Sequence, residues 1–247
     1  MHDILVSILI LTHNRINLAH RCIPALLSKI GNVKNEVLIW DNCSVDGMYD
    51  WLEEYGRADC RITKVFGANK NIGMEAINFL AEESHGKYLI KVDDDLELPD
   101  RFGERMVAAY EEVNENKLAF LSWDMKWGEK TFSTRSGMSL YKNNKGKIIR
   151  LSSSRDRVLI NYDPSSWLVN GACRLSPREV FFSIGGHPKG LIYGIDHTVS
   201  CMAASKGYWG GYINSEDLII HLGIHDTDEF RKFKNIELKR SKGLRDI

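Results

Sequence analysis

The first hundred residues alternate between short apolar runs and stretches with helical spacing. The apolar runs lie at residues 5–11, 37–40, 61–66 and 88–92. The helical stretches lie at about residues 16–30, 48–55 and 72–83. Continuous aliphatic runs are typical of strands buried in a parallel sheet, and their alternation with helices puts helices on both faces of that sheet. The sequence therefore predicts an α/β fold: a three-layer α/β/α sandwich with a mostly parallel central sheet.

Three consecutive carboxylates, Asp93 to Asp95, follow directly on the last of these runs. Three like charges repel one another, but a cation neutralises them, and a set of oxygen ligands suits Mg²⁺ or Mn²⁺. If the extended geometry continues past Val92, Asp93 and Asp95 point one way and Asp94 points the other. Two carboxylates would then share one metal ion. The alternative is an acidic loop, or a helix N-terminal cluster before Pro99.

The ends of the predicted strands bring further polar residues to one place. Thr12 follows the first run, Asp41 follows the second, and Asp93 follows the fourth. The carboxyl ends of parallel strands lie at the same edge of a sheet, where ligands of such folds bind. The sequence therefore predicts a binding site at this edge.

The composition excludes several classes of protein. The 33 basic and 33 acidic residues balance, so the whole chain has no electrostatic preference for nucleic acid or membrane. The five cysteines form no C-x-x-C pair, which argues against a disulfide framework or a zinc site and fits a reducing compartment. The apolar stretch at 4–11 is too short to span a bilayer. We expect a cytoplasmic protein, free or peripheral at a membrane.

The second half is less regular. Helices are predicted at 100–116, 177–184 and 197–206, and strands at 118–123, 168–175 and 218–221. Between them, the polar segment 124–160, termed the basic excursion, has nine basic and three acidic residues. With Trp123, Trp127, Phe132 and Tyr141 it would cradle an anionic or carbohydrate acceptor, or it is a solvated flap. The basic tail at 226–247 suits anionic lipid or nucleic acid, or is a surface helix.

Several motifs resemble those of a known family. They are the segments 6–15 and 36–47, Asn71-Ile72-Gly73 with Ala76 and Asn78, the acidic triplet, and Gly185-Gly186 with Gly194-Ile195-Asp196. In their order and spacing the chain resembles family 2 glycosyltransferases, which have the GT-A (Rossmann-like) fold of nucleotide-diphospho-sugar transferases. The resemblance implies one catalytic domain at 1–225, with a nucleotide-sugar-binding half at 1–102 and an acceptor-binding half at 103–225.

The resemblance also implies a set of donor-binding residues. Thr12 and Asp41 would hold the nucleotide base, and a carboxylate that accepts the N3 proton of uracil favours a UDP-sugar. The other residues of this set are Asn14, Arg15, Asn71, Gly73, Asp93 and Asp94. For Asp41 the alternative is a plain turn residue. Arg15 would approach the phosphates or be a solvated residue in the first turn of a helix, and Asn71 with Gly73 would otherwise be an ordinary helix start.

The metal set implied by the resemblance consists of Asp93, Asp95 and His221. Asp93 would bind ribose or metal, and Asp95 would coordinate the Mn²⁺ or Mg²⁺ ion that bridges the diphosphate. His221 follows a short predicted strand, where several members of this fold supply a third ligand. His225 is the alternative ligand, and a structural histidine is the other interpretation.

Asp196 lies where the family has its catalytic base. An inverting transferase needs a carboxylate that takes the proton of the acceptor hydroxyl as this attacks the anomeric carbon. The family usually has Glu before this Asp, whereas this chain has Ile195. The structural alternative makes Asp196 the N-cap of a helix that begins at His197.

These observations predict a metal-dependent inverting glycosyltransferase that uses a nucleotide-diphospho-sugar. Its acceptor would be a polysaccharide, a lipid-linked sugar or a modified base in DNA. A nucleotidyltransferase would carry a Gly-rich basic loop after the first strand, and residues 12–15 are not such a loop. An inert homologue that binds sugar nucleotide or glycan is the alternative that Ile195 in place of Glu leaves open. The sequence does not predict an oligomeric state.

Overall fold

The computed structural model describes residues 4–127, 130–132, 146–162, 170–191 and 194–223. The strands within these ranges are β1 (Val6–Thr12), β2 (Asn35–Asp41), β3 (Ile62–Gly67), β4 (Tyr88–Asp93), β5 (Leu96–Glu97), β6 (Leu118–Trp123), β7 (Met125–Trp127), β8 (Lys130–Phe132), β9 (Gly146–Arg150), β10 (Arg157–Asn161), β11 (Cys173–Pro177), β12 (Trp209–Asn214) and β13 (Ile219–His221). The α-helices are α1 (Ile16–Ser28), α2 (Met48–Ala58), α3 (Ala76–Glu83), α4 (Phe102–Val113), α5 (Arg178–Ser183) and α6 (Ile195–Ser205), and a 3₁₀ helix (Gly73–Glu75) precedes α3.

A nine-stranded sheet forms the centre of the described structure, in the order β3-β2-β1-β4-β11-β6-β12-β10-β9. Strands β3, β2, β1 and β4 are parallel to one another. Strand β11 then runs antiparallel to both β4 and β6, and β12 is parallel to β6. The prediction of an α/β sandwich is confirmed, and its parallel part is the first half of the chain.

The alternation of side chains along β1 explains the three layers. Ile8 and Ile10 belong to one buried cluster with Ile23 of α1 and Phe102 of α4. Leu9 faces the other way and joins a separate cluster with Leu80 of α3. Since successive residues of a strand point to opposite faces, a continuous aliphatic strand needs a helical layer on each side.

A second sheet of four strands, in the order β5-β13-β7-β8, lies at the edge of the molecule where the acidic triplet ends. Strand β5 follows the triplet directly and pairs with β13 in antiparallel fashion. In this register His221 is opposite Leu96, one residue after Asp95. The small sheet therefore carries a histidine from the end of the described chain back to the triplet.

Two predicted boundaries around β11 differ from the structure. The strand predicted at 168–175 begins at Cys173 and continues to Pro177, and residues 168 and 169 lie outside the described ranges. Pro177, predicted within the first turn of a helix, instead ends β11 and precedes α5. The limits of the predicted domain at 1–225 stay a prediction, since residues 224–247 lie outside the description. Within the described residues, no helix combines the length and apolar character needed to cross a membrane.

Candidate active site

The carboxyl ends of three parallel strands form the floor of the site. In the ladder between β1 and β2, Thr12 is opposite Asp41, and in the ladder between β1 and β4, Leu11 is opposite Asp93. The three predicted polar positions therefore lie side by side at one edge of the sheet. The strands hold these positions because β1, β2 and β4 are buried along nearly their whole length.

Asp41 is the buried last residue of β2, and its carboxylate is already hydrogen-bonded. Thr12 Oγ1 donates to Asp41 Oδ1 at 3.2 Å, and the backbone N–H of Ser44 donates to Asp41 Oδ2 at 3.0 Å. The Ser44 hydroxyl also donates to Asp41 Oδ1. These bonds hold the loop that follows β2 against the Asp41 carboxylate, and the contact of Asp41 with a nucleotide base stays a prediction.

Asn14 connects the loops that follow β1 and β2. Its backbone has a φ of 50°, in the left-handed region that asparagine tolerates better than most residues. Its backbone N–H donates to the Ser44 hydroxyl at 2.9 Å, and its side-chain Oδ1 accepts from the backbone N–H of Val45 at 2.8 Å. Asn14 therefore fixes the rim of the site around Asp41.

The segment at Asn71 and Gly73 is held against the same rim by Asn42. The Asn42 side chain donates to Asn71 Oδ1 at 2.8 Å and accepts from the backbone N–H of Ile72 at 2.9 Å. Gly73 has a φ of 61°, a left-handed conformation that favours glycine, and starts the 3₁₀ helix. These contacts show how the segment is positioned, whereas its contact with a donor is a prediction.

The acidic triplet forms a turn. Strand β4 ends at Asp93, and Asp94 and Asp95 turn the chain into β5. The extended geometry considered for this segment is therefore wrong, because it ends at Asp93 and a two-residue turn separates β4 from β5. The turn nevertheless brings Asp93, Asp95 and His221 together, with one potential ligand atom from each lying within 4.8 Å of the others.

His221 belongs to this cluster because of the small sheet. Its Nε2 lies 3.7 Å from Asp95 Oδ1, and the backbone N–H of Leu222 donates to the Asp95 carbonyl at 2.9 Å. His221 and Asp95 are both buried. His225, the alternative ligand, lies outside the described residues.

Two cations neutralise the carboxylates. Lys91 donates to Asp93, while Arg15 contacts Asp95 Oδ2 and lies 3.7 Å from Asp94 Oδ1. Burial raises the pKa of Asp94 to about 7, and burial, partly opposed by Arg15, also raises the pKa of Asp95. Burial acts to lower the pKa of Arg15, but Asp94 and Asp95 outweigh it and raise this pKa. The triplet is a buried negative site that requires positive charge.

Asp196 is the second residue of α6. The N-cap is Gly194, with a φ of 70°, so the prediction of Asp196 as N-cap of a helix from His197 is wrong. Asp196 Oδ2 instead accepts from the backbone N–H of Gly171 at 2.9 Å, and Oδ1 lies 3.9 Å from Arg174 Nη1. The Asp196 side chain is 39% exposed, so its carboxylate is held on one side and accessible on the other.

A chain of contacts joins Asp196 to the triplet. The Gly171 carbonyl accepts from Lys91 Nζ at 2.7 Å, and Lys91 also donates to Asp93. Gly171 therefore contacts Asp196 through its N–H and contacts Lys91, the partner of Asp93, through its carbonyl. This geometry fixes Asp93 and Asp196 relative to one another across the ends of β4 and β11.

The potential ligand atoms of Asp93, Asp95 and His221 fit a divalent cation. Two carboxylates and one imidazole offer oxygen and nitrogen ligands, which Mn²⁺ accepts and Mg²⁺ accepts less readily at nitrogen. Within the described residues, Asp94 Oδ2 is also buried without a hydrogen-bond partner. A buried carboxylate oxygen that has no hydrogen-bond partner beside such a cluster is expected where further positive charge binds.

A sequence model described as glycosyl transferase family 2 matches residues 7–174, more than half of the chain. The chain belongs to this family. A comparison with curated protein sequences finds no match.

Solved structures share the fold of this family 2 member at low sequence identity. A mannosyltransferase from Pyrobaculum calidifontis, in complex with GDP-Man and Mn²⁺, is 15% identical with a TM-score of 0.67, and the alignment covers 100% of this chain and 66% of that one. TarS 1–349 of S. aureus with UDP-GlcNAc is 14% identical with a TM-score of 0.62, at 95% and 66% coverage. GalNAc-T7 with UDP, GalNAc and Mn²⁺ is 16% identical with a TM-score of 0.64, at 89% and 44% coverage. The chain spans at most about two thirds of these proteins.

The described part of the basic excursion of this family 2 member includes β9 and most of β10. Strands β9 and β10 extend the main sheet at its edge, and Lys147 of β9 pairs with Glu115 at 3.0 Å. Trp123, predicted to line an acceptor site, is buried and donates through Nε1 to the Asp217 carbonyl at 2.7 Å, so this prediction is wrong. The remaining aromatic residues of the excursion, and the tail at 226–247, lie beyond the described side chains.

Sequence reasoning missed three residues that support the site: Lys91, Gly171 and Arg174. Arg174 is buried in β11, where its guanidinium lies 4.5 Å from the Phe120 ring and 2.9 Å from His187 Nε2. Burial lowers the pKa of Arg174. A lysine inside the apolar run 88–92 and an arginine in a buried strand are the signals that could have revealed two of them.

Proposed function

We propose that this family 2 member transfers a sugar from a UDP-sugar to an acceptor hydroxyl, with inversion at the anomeric carbon and with the help of Mn²⁺ or Mg²⁺. The observation that supports this best is the convergence of Asp93, Asp95 and His221 at the carboxyl edge of the sheet. The contacts through Lys91 and Gly171 tie a second carboxylate, Asp196, to the same edge. A single displacement requires a cation that stabilises the leaving group and a base that takes the proton of the acceptor.

The donor would lie across the ends of β1, β2 and β4. Asp41 and Thr12 would hold the uracil base, and Asn14 and the segment at Asn71 and Gly73 would shape the rim. Mn²⁺ is present with GDP-Man in the mannosyltransferase and with UDP in GalNAc-T7, and TarS holds UDP-GlcNAc. We favour UDP because a carboxylate at Asp41 can accept the N3 proton of uracil.

Asp93, Asp95 and His221 would hold the cation against the diphosphate. As a Lewis acid, the bound ion stabilises the negative charge that the leaving nucleotide gains. Lys91 would add a fixed positive charge beside Asp93 and hold that carboxylate in place. The turn at Asp94 and Asp95 is rigid because β5 pairs with β13, so the ligands are placed before the donor arrives.

Asp196 would act as the base. It would accept the proton of the acceptor hydroxyl while the oxygen attacks the anomeric carbon and the bond from this carbon to the diphosphate breaks. The N–H of Gly171 fixes one carboxylate oxygen at 2.9 Å, which orients the other oxygen. Because Ile195 replaces the usual Glu, an inert sugar-nucleotide-binding protein is the second candidate function.

Hydrolysis of UDP-sugars in the presence of Mn²⁺ separates these two functions. The wild-type protein should release UDP, and Asp196→Asn should lower the rate by about 100-fold or more, the usual contribution of a general base. Asp100→Asn is the matched control, because Asp100 is 86% exposed and contacts Lys29 outside the site. Metal-dependent UDP binding without turnover of any UDP-sugar, tested with a panel of glycan acceptors, would instead favour the inert protein.

A further inference from the structure

The guanidinium of Arg15 lies beside two carboxylates of the acidic triplet. Arg15 precedes α1 directly, and its side chain reaches the carboxylates of Asp94 and Asp95. Both of these carboxylate side chains are only 1% exposed, whereas Arg15 is 39% exposed. Neither of the roles considered for Arg15, phosphate contact or a solvated position, includes this ion pair. The charge on these two buried carboxylates is thus compensated by a cation that reaches them from the solvent side.

The two cations of the site differ in how firmly they are held. Lys91 lies within β4, is 8% exposed and is anchored to the Gly171 carbonyl at 2.7 Å. Arg15 extends from the loop between β1 and α1, and among the described residues its ion pairs are with Asp94 and Asp95. Arg15 can therefore swing away without disturbing the sheet, while Lys91 cannot.

A metal ion and Arg15 compete for the same carboxylate. Asp95 is a proposed ligand of the ion, and its Oδ2 is the atom that Arg15 contacts. Two positive charges close to one carboxylate repel each other strongly in a buried site. We propose that Arg15 is a stand-in cation, which neutralises Asp94 and Asp95 before the metal binds and moves to the donor diphosphate when the metal arrives. This inference rests on the proposed metal and donor sites.

The movement of Arg15 from the carboxylates to the diphosphate couples metal binding to nucleotide binding. A metal ion alone has to displace the guanidinium into solvent, which weakens its binding. A diphosphate gives the displaced guanidinium a new partner, since the planar fork of arginine matches phosphate oxygens in a bidentate manner. Metal and nucleotide should therefore each tighten the binding of the other by the same factor.

The experiment measures free Mn²⁺ by electron paramagnetic resonance during titration of metal-stripped protein, with and without UDP. Without UDP, Arg15→Met should bind Mn²⁺ about 5- to 30-fold more tightly than the wild type, the range expected when one competing ion pair is removed. The gain in Mn²⁺ affinity on adding UDP should shrink in this variant. Arg21→Met is the matched control, because Arg21 lies on α1, is 63% exposed and pairs with Glu97 instead of the triplet. It should leave both Mn²⁺ affinities unchanged.

Arg15→Lys tests the same prediction if Arg15→Met fails to fold. It keeps a positive charge but lacks the fork that spans two carboxylates, so its Mn²⁺ affinity without UDP should also exceed that of the wild type. Equal or weaker Mn²⁺ binding by both Arg15 variants would overturn the stand-in role and leave the metal site intact. Failure of the wild type to bind Mn²⁺ even with UDP present would overturn the proposed function and this inference together.

Discussion

Gly171→Ala should lower the catalytic rate strongly while it lowers the stability of the fold only slightly. A Cβ atom at position 171 would lie 2.0 Å from Asp196 Oδ1 and 2.9 Å from Asp196 Cγ. Ordinary contact begins near 3.4 Å, so the oxygen has to retreat by about 1.4 Å. The φ of Gly171 is not in the left-handed region, so alanine fits the backbone and the effect of the substitution is steric. The substitution therefore displaces the proposed base without altering its chemistry.

The expected loss follows from this displacement. Misplacing a reacting group by 1 Å costs on the order of 100-fold in rate, which corresponds to about 2.7 kcal/mol in the activation free energy. Because the Asp196 side chain is 39% exposed, it can rotate into solvent, and the free energy of unfolding should fall by only about 1 kcal/mol for the lost hydrogen bond. The assay compares UDP release from a UDP-sugar, Mn²⁺-dependent UDP binding, and thermal unfolding.

The control is the same substitution at a distant glycine. Gly56 lies within α2, where a Cβ would approach Val65 Cγ2 at 3.1 Å, and Gly56→Ala should keep full activity. Gly171→Ala with wild-type turnover would refute the argument that Asp196 must sit on the Gly171 N–H. A loss of Mn²⁺-dependent UDP binding in this variant would refute the separation of the base from the donor site.

Two further predictions concern the third metal ligand and a buried carboxylate away from the site. His221→Ala should weaken Mn²⁺ binding in the presence of UDP by at least about tenfold, the loss seen even for outer-shell partners of metals, and unchanged affinity would remove it from the ligand set. For Glu36, burial acts to raise the pKa, but hydrogen bonds from Ser7 and His85 outweigh it and lower the pKa. The stability that the Glu36 carboxylate contributes is therefore present above about pH 4.3 and is lost as the pH falls through the folded-state pKa. Glu36→Gln should lower the melting temperature at pH 7, and this loss should shrink as the pH falls below about 4.3 through the folded-state pKa; a loss that does not change with falling pH would contradict this assignment.

The sequence predicted the parallel half of the sheet because its signals are local. The aliphatic run of β1 faces helices on both sides, and β4 ends at Asp93 as the run at 88–92 indicated. The edge where Thr12, Asp41 and Asp93 meet follows from the geometry of parallel strands alone. No side-chain contact was needed for these predictions.

The interior of the site depends on contacts that are distant in the sequence. Gly171 joins Lys91 and Asp196 through its backbone, and a backbone N–H or carbonyl leaves no signal in the amino-acid pattern. The ion pairs of Arg15 also leave no signal in the amino-acid pattern, because its partners lie about 80 positions away. The helix start at Ile195, one residue before Asp196, was also missed, because Gly194 rather than Asp196 serves as N-cap.

The proposed chemistry depends most directly on Asp95 and a bound divalent cation. Isothermal titration calorimetry with UDP and the metal-stripped protein, with and without Mn²⁺, measures whether the ion and the nucleotide bind together. Mn²⁺ should tighten UDP binding by about 5- to 150-fold in the wild type and not in Asp95→Asn, while the control Asp100→Asn should behave as the wild type. UDP binding that is equally tight with and without Mn²⁺, or equally enhanced by Mn²⁺ in Asp95→Asn, would contradict the proposed chemistry.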